Sequence, residues 1–182
     1  MLVPIYSGLP TDGTEITMAI SRDDRQFLLL CDDVRKDSHD PDRKVGAVIS
    51  DSGHQVLATG TNAPPSALRL TVEESHEAIR QDRTWKYFML EHAERNAIFA
   101  AYALGKSLAG ATMYSTLFPC ADCARAIVAS GLSRLVVLGL ARDPVRDEKW
   151  LDHYRHASGI LAMAGVAVVV VDPEQLVREI SR

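Results

Sequence analysis

Little in this chain of 182 residues staples, anchors or repeats it. Only three cysteines are present, Cys31, Cys120 and Cys123, too few for a disulfide framework and consistent with a reducing compartment. No window approaches 18 consecutive apolar residues, so no membrane-spanning helix is expected. The N-terminus has no basic stretch followed by an apolar one, so export is not expected and the chain reads as cytoplasmic. Internal repeats and low-complexity tracts are absent too. There is also no basic run. Lys and Arg number 20 against 24 Asp and Glu, a formal charge of −4, and Arg134, Arg142 and Arg146 are scattered. A surface that grips a polynucleotide is therefore not expected. A mononucleotide, which needs only one or two cations and some backbone N–H groups, remains open.

What is left is ordinary globular material, 47% hydrophobic and 24% charged, of a length that fits one domain. Residues 1–20 carry turn-prone clusters at Pro4, 8–10 and Asp12-Gly13 with no clear period, and read as an irregular arm. Residues 21–182 read as a single domain. Ser21 with Asp24 three residues on resembles an N-cap, opening a helix to about residue 36 with Cys31 on its buried side. Residues 44–50 and 55–61 read as a hairpin around Asp51-Ser52-Gly53. Residues 62–83, with Pro64, Pro65 and several acids, read as a long polar connection covering the site. A helix is expected over 91–104, closed by Gly105, then a strand over 111–116 and a helix from Pro119 to near Gly131. A strand over 134–140, a charged loop over 141–149, a helix over 151–164 and a strand over 166–171 follow, and Pro173 opens a short helix. The order predicts an α/β fold in three layers, α-β-α, with a five-stranded mixed sheet: one antiparallel hairpin plus three parallel strands.

Two short motifs carry the chemistry. His92-Ala93-Glu94 is followed by Pro119-Cys120-Ala121-Asp122-Cys123. One imidazole and two thiols make three good zinc ligands, and a structural zinc normally takes four from the protein. The missing fourth leaves a position for water, and Glu94 stands beside it as a proton carrier. His92 and Glu94 lie about 200° apart on a regular helix, so they converge only at a helix's first turn. Cys120 and Cys123 fall on one face of a helix start, and Pro119 sits where a missing N–H costs little. Either motif alone is common, and a C-x-x-C pair also serves redox chemistry. Their combination in this order matches the H-x-E…P-C-x-x-C signature of zinc-dependent cytidine deaminases. That match implies that His92, Cys120 and Cys123 hold one Zn2+ per subunit, with water as co-substrate and Glu94 as the catalytic acid and base.

A longer set of residues narrows the resemblance. Ser38-His39-Asp40-Pro41 with Val45-Gly46-Ala47-Val48-Ile49 looks like the S-K-D-P…V-G-A stretch of deoxycytidylate (dCMP) deaminases. Gly60-Thr61-Asn62-Ala63-Pro64 resembles that family's G-Y-N-G-x-P loop. Tyr87, placed five residues before His92, agrees as well. So do 92–98, 114–120 and Met163-Ala164-Gly165-Val166, and the match spans roughly residues 24–172. It implies the cytidine deaminase fold, hydrolysis of dCMP to dUMP and ammonia, and a homo-oligomer from dimer to hexamer. For the substrate it implies Asn62 as a hydrogen-bonding side chain and the backbone at Thr116-Leu117 facing the exocyclic amine. The Ala93 N–H would support the ring carbonyl, and Tyr87, Ser38 and Lys44 would complete the set. The alternatives are a modified pyrimidine nucleotide, a nucleoside or a small aminated heterocycle as substrate, or a non-catalytic zinc-stabilised interaction module. The chain departs from the family at His39 for Lys, at Ala63 and Pro65 in the Asn-Gly loop, and at Glu91 for a frequent Cys. A second, structural zinc at His76 and Cys31, or at His153 and His156, is therefore not expected.

Overall fold

The computed structural model describes residues 20–139, 144–173 and 176. The arm expected over 1–20, apart from Ile20, and Arg142 lie outside the described residues, as does nearly all of the short helix after Pro173.

Helix α1, Arg22–Val34, opens as expected at Ser21, whose Oγ accepts from the Asp24 N–H at 3.0 Å. It gives way to a short 3-10 turn at Arg35–Asp37. Strands β1, Gly46–Ser50, and β2, Val56–Thr61, form the antiparallel hairpin. Helices α2, Val72–Gln81, and α3, Trp85–Met89, follow, and then α4, Ala93–Ala103. Strand β3, Thr112–Ser115, leads to α5, Ala121–Ala129, and β4, Arg134–Leu138, to α6, Pro144–Met163. Strand β5, Ala167–Val171, completes a sheet ordered β2-β1-β3-β4-β5. Strand β3 pairs antiparallel with β1, and β3, β4 and β5 run parallel.

The two-residue period of a strand sends alternate side chains to opposite faces, and two apolar cores result. Ala47, Ile49, Met113, Leu135 and Val137 share one core with α4, α5 and α6. Val48, Tyr114, Val136 and Val171 share the other with Phe27, Leu28 and Cys31 of α1. This is the expected three-layer arrangement. Cys31 is a core residue, fully buried, and burial pushes its thiol far up from the ordinary range. Below it, Asp24 receives both Nη atoms of Arg134 and the Tyr114 hydroxyl.

Two segments differ from the sequence reading. The stretch 62–83 is not a plain connection, because α2 lies within it. Thr71 and Glu74 form a reciprocal capping box at its start, a signal that two prolines and a run of acids obscured. The stretch 141–149 is not wholly loop, because α6 begins at Pro144. Proline is well placed in a helix's first turn, and the charged residues after it do not oppose a helix.

Two glycines set how closely the layers approach. A Cβ at Gly60 on β2 would lie 2.4 Å from both the Ala93 carbonyl oxygen and the Ala97 nitrogen of α4. A Cβ at Gly46 on β1 would lie 2.1 Å from the Cys31 carbonyl oxygen of α1. Gly60 thus lets the start of α4 rest directly on the sheet. Asn96 then pins the loop leaving β2, its Nδ2 donating to Thr61 O at 2.8 Å and Ala63 O at 3.0 Å.

Candidate active site

The metal-side floor is built from two helix starts. His92 is the N-cap of α4 and Cys120 the N-cap of α5. Neither side chain caps its own helix, which leaves both free to point at one spot. Cys123 reaches the same spot from the first turn of α5. His92 Nδ1 lies 3.4 Å from each sulfur. Zn–N of about 2.05 Å and Zn–S of about 2.3 Å in a tetrahedron place N and S about 3.6 Å apart, so the trio has room for one zinc. The ligand atoms lie within 4.8 Å of one another, and no other such group of His, Cys, Asp or Glu occurs among the described residues. His76, instead, approaches Ser38 O at 3.3 Å.

In the bare cluster the two thiols compete for one negative charge. Hydrogen bonding from Cys123 and then His92 pulls Cys120 down to about 4, while bonding to Cys120 and burial push Cys123 up. A doubly charged cation between them removes that competition, because both thiolates then face it. Glu94 sits beside the trio at the second position of α4, 4% exposed, with Cys123 Sγ 3.5 Å from its Oε2. Burial raises its carboxyl above the usual range, outweighing the opposing pull of the neighbouring His92 imidazole. A carboxyl raised by burial holds a proton more readily than a free one, the direction that suits a group which both takes and returns protons.

The floor opens into a cavity of about 560 Å³, within the usual range for a small ligand. Of the substrate residues expected from sequence, Asn62, Ala93, Leu117 and Tyr87 line it, together with His92, Glu94 and Cys120. Ser38, Thr116 and Lys44 do not. Ser38 is buried behind Asn62, donating its Oγ proton to Asn62 Oδ1 at 2.7 Å. Asn62 Oδ1 also accepts from the Val45 N–H at 2.9 Å, and Nδ2 donates to Arg43 O at 2.7 Å. Its amide therefore braces the 43–45 backbone and keeps one N–H for a ligand. Thr116 is tied to β1: its Oγ1 accepts from the Gly46 N–H at 3.1 Å, and its own N–H donates to Gly46 O at 3.0 Å. Lys44 is exposed and donates to Lys36 O at 3.3 Å, away from the cavity.

Sequence reasoning missed most of the mouth. Lys86 lies between two carboxylates, donating to Asp40 at 3.1 and 3.2 Å and to Asp42 at 2.8 Å, and Arg83 meets Asp42 at 2.9 Å. Burial works to lower the Lys86 ammonium, but the Asp42 and Asp40 carboxylates outweigh it and hold it above the ordinary range. Arg43 and Lys149 also line the cavity, and neither has a carboxylate partner among the described residues. Lys149 Nζ stands 5.1 Å over the Tyr87 ring and 3.4 Å from its hydroxyl. Trp150 and Tyr154 line the wall from α6. These residues come from segments a hundred positions apart; Asp40 lay inside a motif and Tyr87 was a candidate from sequence, but nothing local marked Arg83, Lys86, Lys149 or Trp150 as cavity residues.

Fold and floor define a three-layer α/β protein with one His-Cys-Cys zinc site and a buried acid at its edge. The profile of the cytidine and deoxycytidylate deaminase zinc-binding region matches residues 21–139, and the chain belongs to that family. Relatives include a probable deoxycytidylate deaminase of Drosophila melanogaster, 33% identical over 138 residues, covering 72% of this chain and 63% of that one. An uncharacterized deaminase from the luxG 3' region of Aliivibrio fischeri is 30% identical over 149 residues, covering 82% and 93%. The human deoxycytidylate deaminase is 30% identical over 129 residues, covering 71% and 68%. The cyanophage S-TIM5 dCMP deaminase, solved with dCMP and dUMP, shares the fold with a TM-score of 0.60 at 20% identity, over 84% of this chain and 99% of that one.

Proposed function

We propose that the chain is a zinc-dependent hydrolase that converts dCMP and water to dUMP and ammonia. The observation that carries the reaction is the pairing of a three-ligand zinc floor with one buried carboxylate, Glu94, at its edge. Deoxycytidylate deaminases among the relatives support the substrate.

His92, Cys120 and Cys123 hold the metal. Bound there, zinc supplies a Lewis acid that brings the ionisation of water down toward neutral pH. Two thiolates balance its charge, so the centre suits an uncharged base. Glu94 takes a proton from the attacking water at a carboxylate oxygen and delivers it to the ring nitrogen. A second proton passes through the same carboxyl to the departing amine, so a C–O bond replaces the C–N bond and ammonia leaves. The Ala93 N–H and the backbone at Leu117 orient the ring, and the remaining Asn62 N–H holds the ligand beside them. At the mouth, Arg43 and Lys149, which have no carboxylate partner among the described residues, supply the positive charge that a monophosphate needs, while Lys86 and Arg83 are already spoken for by Asp40 and Asp42. A non-catalytic zinc module has no use for Glu94, and no fourth His, Cys, Asp or Glu closes the site among the described residues.

We also propose a homo-oligomer, supported by Phe99 and Tyr102, three residues apart on α4 and each at least half exposed. Light scattering on the purified protein checks it, and a monomer at working concentration overturns it. The reaction is tested by incubating zinc-loaded protein with dCMP, dCTP, deoxycytidine, cytosine and guanine and measuring ammonia. Release from dCMP above the others is expected. No release from any pyrimidine sinks the assignment.

A further inference from the structure

The family match ends at residue 139, yet α6 brings Lys149, Trp150 and Tyr154 to the cavity wall. Part of the wall is thus supplied by a helix that follows the zinc-binding region itself. Trp150 lies closest to the chemistry. Its ring centroid is 6.5 Å from that of His92, with the planes at 59°. On its outer side it packs 5.1 Å from the His153 ring. One turn further along α6, Tyr154 meets Phe118 edge-on at 6.0 Å, and Phe118 precedes the Pro119-Cys120 turn. The helix is therefore anchored on both sides of the metal floor, through an imidazole ligand and through the turn that carries a thiol. An indole fixed in this way is a flat apolar surface beside the place where the reacting carbon must sit.

We propose that Trp150 is a specificity-determining residue: its indole is the surface on which the aminated ring packs, and its bulk limits the site to a pyrimidine without a ring substituent. The proposal rests on the deaminase reading and deepens it. A planar base is held edge-toward-metal by the floor, and only its faces and far edge are left to be read. Lys149, the preceding residue, meets Tyr87 across the mouth. The far edge of a ring is thereby confined between α3 and α6. Removal of the indole opens that space and takes away the stacking surface together.

The test uses zinc-loaded full-length protein carrying Trp150→Ala or Trp150→Phe, with zinc content and melting temperature as controls. For Trp150→Ala, KM for dCMP rises roughly tenfold, the usual scale of one lost base–aromatic stack. The kcat/KM ratio of 5-methyl-dCMP to dCMP rises by roughly tenfold, the scale of one methyl group accommodated in an apolar pocket. Trp150→Phe falls between and carries the test if the alanine variant does not fold. A second readout needs no turnover. The chain has two tryptophans, so in Trp85→Phe the emission comes from Trp150 alone, and dCMP quenches it saturably in Trp85→Phe/Glu94→Gln. Saturable quenching without ammonia release from wild type would retain the wall and defeat the reaction. Unchanged KM and unchanged methyl selectivity in folded, zinc-bearing variants, or emission indifferent to dCMP where wild type turns it over, overturns the proposal.

Discussion

The floor and the mouth of this cavity are made in opposite ways. The floor is two helix starts, nearly dry, with four side chains within a few ångströms and backbone packed directly behind them. The mouth is a set of charges and aromatics from the 40–43 loop, the 83–87 segment and α6, ranging from buried Asp40 and Tyr154 to exposed Arg83 and held largely by one another. On the proposed reaction the floor has no tolerance in position, because three ligands must meet one ion and one carboxylate must meet the same water. The mouth has tolerance, because a phosphate accepts several arrangements of positive charge. On the same proposal, reaction type belongs to the first region and substrate choice to the second.

The largest effect breaks the floor's chemistry while leaving its geometry. Glu94→Gln keeps size and shape but cannot carry a proton. With dCMP it lowers kcat about 10³-fold, with zinc content and melting temperature unchanged. Substantial residual turnover removes Glu94 from the mechanism.

The next breaks the floor's geometry while leaving its chemistry. Gly60→Ala puts a methyl group where the Ala93 carbonyl and the Ala97 nitrogen already are, so either β2 or the start of α4 must move. His92 and Glu94 ride on that helix start. A loss of about 3 kcal/mol in unfolding free energy is expected, with weaker zinc retention against a chelator. Wild-type stability and zinc affinity in this variant would show that the close approach does not hold the site.

This contrast also explains what could be read without coordinates. His92, Glu94, Cys120 and Cys123 were legible because their relation is local: each pair sits within one helix turn, and helix starts announce themselves through Pro119 and residue spacing. The three layers were legible because strand and helix periods are local as well. The mouth was not. Lys44 stood inside a motif and Lys86 just outside one, yet the chain turns Lys44 out toward Lys36 and Lys86 in between Asp40 and Asp42. That choice depends on how the 40–43 loop crosses α3, some forty residues later in the chain. Trp150 and Lys149 are further still, on a helix whose charged first turns read as loop. Asn62 shows the intermediate case: it lines the cavity, with an amide already largely used in bracing Arg43 and Val45.

A smaller effect sharpens the mouth's share in substrate choice. Arg43→Met removes a guanidinium with no carboxylate partner among the described residues. KM for dCMP rises roughly tenfold, about 1.4 kcal/mol, while kcat stays within about twofold. KM for deoxycytidine, which has no phosphate, does not change. An equal rise for both substrates places Arg43 outside phosphate recognition.

The smallest effects separate two cations of one network. The Lys86 side chain is 13% exposed and that of its partner Asp40 is 11%, whereas Arg83 is 78% exposed and shares Asp42. Lys86→Met leaves the Asp40 carboxylate without its counter-charge among the described residues and costs about 1 kcal/mol. Arg83→Gln removes an exposed ion pair and costs under about 0.5 kcal/mol. The Lys86 ammonium is held above its ordinary value of 10.5 in the folded state, so its stabilisation is fully present below that pH and is lost as pH rises through the higher folded value. Urea unfolding from pH 7 to 11 should therefore show a constant gap between wild type and Lys86→Met that begins to narrow only at the alkaline end. The gap for Arg83→Gln should stay near zero throughout. Equal losses for the two variants would mean that the network is read by solvent as a whole and that burial of Lys86 contributes nothing of its own.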